Sequence, residues 1–444
     1  MGRVAALLVV ALALLRGAAL AVLVPPYQAP DEPAHFDYVQ HLAESGRMAD
    51  GGEDCAQLSA EGMALLSVMQ PLFADRGRPV PPAGEFLPPA PTPEARSTRL
   101  CSSAARYPPV YYLTAAAAYR AARGAPFLHR LLAARLVSVA WGALGAGAAF
   151  LLGLWLLGGW RGGLLTGLAY ALQPMQALMF SSVNNDAALF SLSTVGFAAA
   201  AALRAVPGAR APLAALAAAA LLGSLSKPTF LLLTPALLVA VAAALGPARP
   251  ASWIRGALAL LPAAAGLAWT LSRNPGGASS HPSAAGPGLV DFASRLALSP
   301  ARLEELWLRQ YWASWGWHET RLPIHYYRVV EILVGLALVG AVLGWRHLSS
   351  AERGLVAVSA AATVAALVPI HVFEYGFHRS SGGLLLQGRY LLPMFALHAA
   401  ALATALRGLG RRLRAPGDGG FALPALLGVL LAAISLHALV RYYA

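Results

Sequence analysis

The chain reads as all-α: a polytopic membrane helical bundle of about eleven transmembrane helices. Composition and periodicity both point there. The 444 residues are 58% hydrophobic and only 12% charged, where soluble domains carry about 25% charged residues. Mean hydropathy is +0.59. Apolar runs recur at the length that crosses a bilayer, about 20 residues of helix.

The runs fall near 4–24, 129–157, 163–181, 187–203, 212–226, 229–245, 256–272, 328–345, 354–370, 390–406 and 421–440. The stretch 107–122 is apolar but short and rich in Tyr and Arg, which suits a helix lying in the membrane interface. Residues 74–98 are Pro-rich and read as an extended loop. Arg16 interrupts the first run, so a retained helix must give it a partner or let it snorkel. The alternative for residues 1–24 is a signal peptide, with Arg3 and a loosely fitting Ala19-Leu20-Ala21 site.

Arginines set the orientation. With the N-terminus inside, the short inner loops hold Arg161; Arg204 and Arg210; Arg249 and Arg255; Arg346 and Arg353; and Arg407, Arg411, Arg412 and Arg414. Every such loop then obeys the positive-inside rule, and shifting the count by one helix breaks the pattern. The expected topology is N-in/C-out, in a single membrane domain. Segments 25–128, 273–327 and 371–389 fall outside, the first of them a long extracytoplasmic loop with interfacial helices. The formal charge of +13 does not signal nucleic acid, because the basic residues are scattered singly between apolar runs. Arginine predominates, Lys227 being the one lysine, and this with the alanine-rich composition suggests a bacterial inner or plasma membrane protein. Cys55 and Cys101 share the first outer loop, where a disulfide is permitted; two free thiols are the alternative.

Six clusters carry polar chemistry. Pro30-Asp31-Glu32-Pro33-Ala34-His35-Phe36 follows the first run directly. Asp31 suits a helix N-cap and Pro33 a first-turn position, in a helix running to about Glu44 and ending near Gly46. Capping and catalysis are both open to Asp31. Tyr107-Pro108-Pro109-Val110-Tyr111-Tyr112 suits interfacial anchoring or substrate contact. Asn184-Asn185-Asp186 lies on the same side as Asp31, either as a cap or as a working carboxylate. Lys227, before Pro228, either snorkels or meets a phosphate. The run Tyr311 to Pro323, with Trp312, Trp315, Trp317 and Arg321, forms an aromatic belt or a platform for sugar or lipid. Gln387-Gly388-Arg389-Tyr390 offers a guanidinium fork for a phosphate. His371 and His378 lack zinc-ligand spacing. No nucleotide-type glycine-rich loop is present in the sequence, which argues against nucleotide-driven chemistry.

These elements, in this order, resemble the C-type (GT-C) membrane glycosyltransferase superfamily. Within it, the chain is similar to a bacterial multi-pass family marked by Pro-Asp-Glu-Pro-Ala-His-Phe after the first helix and Gly-Arg-Tyr-Leu-Leu-Pro near the end. Here these motifs are Pro30–Phe36 and Gly388–Pro393. The resemblance implies an inverting transferase on the extracytoplasmic face. It moves a sugar from a polyprenyl-phosphate donor in the membrane lipid to a hydroxyl of a cell-envelope glycan, lipid or protein. It implies Asp31 as catalytic base with Glu32 beside it, and Asp186 as a second acidic position. Lys227 and Arg389 become the phosphate contacts, with His35, Tyr111, Tyr112, Trp317, Arg321 and Tyr390 as further substrate contacts. Asp31, Glu32 and Asp186 would also be ligands for Mg or Mn if the reaction uses a metal. His318 departs from the apolar residue expected in its segment. Two other readings stand beside this one: a transporter or flippase of lipid-linked glycans, and a non-catalytic membrane assembly protein.

Overall fold

The computed structural model describes residues 1–49, 57–70, 85, 87, 96–273, 288–294, 298–315, 323–413 and scattered positions from 430 to 440. Cys55, Trp317 and Arg321 lie outside the described residues.

The chain begins with α1 (Gly2–Leu23), then α2 (Glu32–Ser45) and α3 (Ala60–Met69). A small antiparallel pair, β1 (Gln57–Ser59) and β2 (Arg96–Cys101), sets Gln57 opposite Cys101. Next come α4 (Val110–Ala121), α5 (Phe127–Leu156), α6 (Gly159–Leu172), α7 (Pro174–Phe180), α8 (Asp186–Ala205) and α9 (Arg210–Ser224). A 3₁₀ turn at Pro228–Leu233 leads into α10 (Thr234–Leu245). There follow α11 (Pro250–Leu260), α12 (Ala264–Arg273), α13 (Ile324–Leu343) and α14 (Ser350–Ser381). A 3₁₀ segment, Gly388–Met394, opens into α15 (Phe395–Arg412).

Among the described residues, eight segments are long and apolar enough to span a membrane. They match eight of the expected runs. The others differ for local reasons. The run 163–181 breaks at Gln173-Pro174 into α6 and α7, because proline has no N–H for the helix ladder. The run 212–226 forms a shorter helix, Arg210–Ser224, and most of 421–440 lies outside the described residues. The break also answers the question of Arg16: its guanidinium donates to the Ala171 carbonyl, left free because α6 stops at Leu172.

Small residues let the helices approach. A Cβ on Gly153 of α5 would sit 2.3 Å from the Gly162 carbonyl oxygen of α6, a contact that only backbone against backbone permits. Leu156, Arg204, Ala244 and Gly354 line one cavity, so the ends of α5, α8 and α10 and the start of α14 share one end of the bundle. Glu352 there binds Arg411 (2.7 Å) and Arg407 (3.4 Å) at the end of α15. The arginine-bearing loops therefore gather together, as the alternating count requires. Arg389 stands at the opposite end of the same span, about 30 Å away at 1.5 Å per residue.

The segment 107–122 contains α4, which is tied into the protein interior. It packs against α2 and α5, and Tyr111, Tyr112 and Tyr119 are fully buried.

Candidate active site

The site is built around the loop joining α1 to α2. Helix α2 runs from Glu32 to Ser45 and ends on Gly46 in the left-handed conformation, φ 70°, a standard terminator. Its start departs from the expected cap. Asp31 is itself left-handed, φ 64° and ψ 0°, and its side chain makes no capping bond. Such a backbone is disfavoured for any residue but Gly, although Asp tolerates it better than most. Tyr27, four residues earlier, is also at φ 64°. Two strained residues in one short loop need surroundings that hold them.

Glu32 supplies that hold. It is completely buried, and its Oε2 accepts from the Tyr27 N–H (2.9 Å) and an Arg135 guanidinium nitrogen (2.6 Å). Its Oε1 accepts from Arg135 Nε (2.7 Å) and the Val183 N–H (3.0 Å). Arg135 also donates to the carbonyls of Ala21 (2.8 Å), Val24 (2.7 Å) and Pro25 (3.1 Å), closing the end of α1. Glu32 is thus a strut with both oxygens occupied. Arg135 belongs to none of the six polar clusters. Its signal was an arginine inside a long apolar run, which is costly there without a partner.

Asp31 differs in environment. Its Oδ2 receives Arg389 at 2.5 Å, and 45% of its side chain is exposed. Arg389 also sets Nε 3.6 Å from Asp186 Oδ2. Asp186 Oδ1 in turn accepts from Lys227 Nζ at 2.6 Å. Four charges therefore alternate along a row: Asp31, Arg389, Asp186, Lys227. Asp186, Lys227 and Arg389 are buried, with side chains 1%, 7% and 4% exposed. Lys227 does not snorkel. It sits in extended backbone before Pro228, the conformation a following proline imposes, and its ammonium lies 5.9 Å from the Tyr107 ring centroid.

Neighbouring side chains fix this row. Asn184 donates to the Pro30 carbonyl (3.1 Å), and its Oδ1 accepts from the Asp186 N–H (2.9 Å). Asn185 donates to the Ser226 carbonyl (3.2 Å). One asparagine thus ties Asp186 to the Asp31 loop and the other ties it to the Lys227 turn. The Tyr111 hydroxyl joins Ser138 (2.7 Å) and accepts from the Asn184 N–H (2.8 Å). The Tyr112 hydroxyl meets His35 Nδ1 (2.6 Å). Both tyrosines are fully buried and brace their neighbours through these bonds. His35 also stacks on Tyr107, ring centroids 5.8 Å apart. Tyr390 is half-buried beside the row.

Arg389 depends on a close approach behind it. A Cβ on Gly388 would lie 2.0 Å from the Leu306 carbonyl oxygen, so no other residue fits there. The Gly388 N–H donates to Gln310 Oε1 (3.0 Å), and Gln176 Nε2 donates to the Leu392 carbonyl (3.1 Å). Trp312 and Trp315 are buried, and the Trp315 indole donates to the Pro174 carbonyl (3.1 Å). Trp315 thus braces the break between α6 and α7. An apolar cavity of about 380 Å³ begins two residues beyond Arg389, lined by Leu391, Trp307, Trp312, Leu338 and Leu402.

Burial raises the Asp31 carboxyl, but the adjacent Arg389 guanidinium outweighs it and holds the group at about 2. Burial lowers His35 to about 3, so its imidazole is neutral at neutral pH. Burial would lower Lys227, but the Asp186 carboxylate more than reverses this and holds it above its ordinary value. The row is therefore two carboxylates against two cations. Among the described residues, no group of three His, Cys, Asp or Glu is arranged to hold a metal. Asp31 and Asp186 are already matched by cations and Glu32 is consumed by Arg135, so this donor set does not fit the Mg or Mn site considered from the sequence.

Residues 14–398 match the family described as "Predicted membrane protein (DUF2142)". The chain belongs to the DUF2142 family. Among solved structures, it is similar to ArnT from Cupriavidus metallidurans bound to undecaprenyl phosphate. Identity is 14%, covering 98% of this chain and 75% of that one, with a TM-score of 0.51. The apo state of the same protein matches at 14% identity over 98% and 77% of the two chains, with a TM-score of 0.50. The likeness gives this DUF2142 protein an ArnT-like GT-C fold. Among curated proteins, no sequence matches it.

Proposed function

We propose that this protein is an inverting glycosyltransferase working on the extracytoplasmic face of a bacterial membrane, with a polyprenyl-phosphate-linked sugar as donor and a hydroxyl as acceptor. The observation that carries this reading is the row Asp31–Arg389–Asp186–Lys227. It joins a half-exposed carboxylate to two buried cations on a membrane-spanning GT-C fold.

Each residue then has a task. Asp31 removes the proton from the acceptor hydroxyl as its oxygen attacks the anomeric carbon. The bond from that carbon to the phosphate oxygen breaks on the opposite face, which inverts the centre. Negative charge grows on the departing polyprenyl phosphate, and Arg389 and Lys227 stabilise it from a buried setting where such contacts are strong. Asp186 keeps Lys227 charged and in place. The apolar cavity beside Leu391 suits the first part of the lipid chain. The solved relative whose fold this chain shares was bound to undecaprenyl phosphate, which supports the donor class.

The test is sugar transfer from a polyprenyl-phosphate sugar by the purified protein and by Asp31→Asn. Asn keeps the shape of the side chain and cannot act as base. Transfer should fall by about 10²–10⁴-fold, the usual worth of a positioned general base. An Asp31→Asn protein that folds normally and transfers sugar at the wild-type rate would sink the assignment.

A further inference from the structure

We propose that the Asp31–Arg389 ion pair is a latch opened by the donor: the incoming phosphate takes the guanidinium, and the released Asp31 carboxylate becomes the base. This rests on the glycosyltransferase reading above and adds to it an order of events, with donor binding before proton removal.

Charge bookkeeping motivates it. The four side chains of the row already sum to zero, so an added phosphate meets no uncompensated cation. Lys227 is committed to Asp186 at 2.6 Å, both of them buried. Arg389 is divided between Asp31 at 2.5 Å and Asp186 at 3.6 Å. That second contact is loose: Arg389 Nε and Asp186 Oδ2 are both buried without a hydrogen bond. A guanidinium binds best through two parallel N–H donors to one anion, and neither carboxylate here provides that geometry. A phosphate does.

One member of the row is free to leave. Asp31 is 45% exposed, whereas the other three side chains are 7% exposed or less. Water can take over its carboxylate as it swings off Arg389, while releasing Asp186 or Lys227 would strand a buried charge. No capping bond holds the Asp31 side chain. A phosphodiester carries one negative charge and replaces the one that departs, so the balance at Arg389 is kept. While latched, Asp31 is a poor base, because Arg389 favours its ionised form. Beside a bound phosphate instead of a guanidinium, its proton affinity rises. The latch thus withholds the base until a donor is present.

The experiment is equilibrium binding of undecaprenyl phosphate, without sugar, to the full-length protein in detergent micelles. Wild type is compared with Asp31→Asn, Asp31→Glu, Arg389→Lys and the double variant Asp31→Asn/Arg389→Lys. Thermal unfolding and elution profile check that each variant is folded. Asp31→Asn should bind about tenfold more tightly than wild type, since the phosphate no longer displaces a carboxylate. Asp31→Glu, which keeps the charge, should bind like wild type. In the Arg389→Lys background the charges are the same but the fork is gone, so Asp31→Asn should change affinity by less than about threefold. An equal tenfold gain in both backgrounds would mean a general field effect, and no gain in either would mean no competition; both overturn the latch. Asp31→Asn that fails to transfer sugar yet binds the lipid like wild type removes the latch and leaves the glycosyltransferase reading intact. No binding of the lipid by any protein in the set removes both.

Discussion

Asp31 and Glu32 are neighbours in sequence, and each carboxylate is paired with an arginine, yet they occupy opposite kinds of environment. Glu32 is fully buried and accepts four hydrogen bonds, two of them from Arg135. Asp31 is nearly half exposed and holds Arg389 through a single contact. A carboxylate enclosed and saturated on every side serves the backbone around it. One held by a single partner at a solvent-facing edge remains able to exchange that partner. The pair shows how a rigid residue can present a reactive one. Glu32 clasps the Tyr27 N–H and so sustains the left-handed turn that aims Asp31 away from a capping position.

The sharpest break between the two should appear when each is made neutral. Asp31→Asn should lose about 10²–10⁴-fold in transfer and cost less in thermal unfolding than neutralising Glu32, because Asp31 is half exposed and the buried Arg389 still faces Asp186 at 3.6 Å. Glu32→Gln should do the reverse at the level of the fold, destabilising by about 3–5 kcal/mol because Arg135 is left buried and uncompensated. Thermal unfolding in detergent checks this. A Glu32→Gln protein with wild-type stability and no activity would move Glu32 back into the chemistry.

A smaller effect is expected at the far end of the row. Lys227→Ala should weaken polyprenyl-phosphate binding by about tenfold, roughly one charge-assisted contact. Unchanged lipid affinity would remove Lys227 from the phosphate site. The acid side of the pH profile tests Asp31 alone. Its carboxyl is held at about 2, below its ordinary value of about 3.9. Any stability from the pair is therefore present above that ordinary value and lost as pH falls toward 2. In kcat/KM, which reports the free enzyme, the rate should stay flat from about pH 7 to about pH 4. A limb near pH 6 would point to another base. The least effect belongs to Arg411→Ala at the opposite end of the bundle, where the Glu352 pair is half exposed. It should change stability by less than about 1 kcal/mol and transfer not at all.

The sequence by itself determined the membrane class, the eight spans that the structure retains and the end of the bundle at which arginines collect. These follow from hydropathy, length and charge counted along the chain, which are local quantities. It also singled out Asp31, Asp186, Lys227 and Arg389, because charge beside an apolar run is costly and therefore conspicuous. The helix α2 was legible to its last turn, Ser45 before Gly46. Tertiary structure alone decided which of two adjacent acids is the strut. Glu32 meets an arginine 103 residues away and Asp31 one 358 residues away, and no periodicity encodes such partners. It also decided that Tyr111 and Tyr112 are internal supports, since a tyrosine in the first turn of a helix looks the same in sequence whether it faces a headgroup or a buried histidine. The physical reason is common to both cases: charge and hydropathy are properties of residues, whereas burial and pairing are properties of the places where distant segments meet.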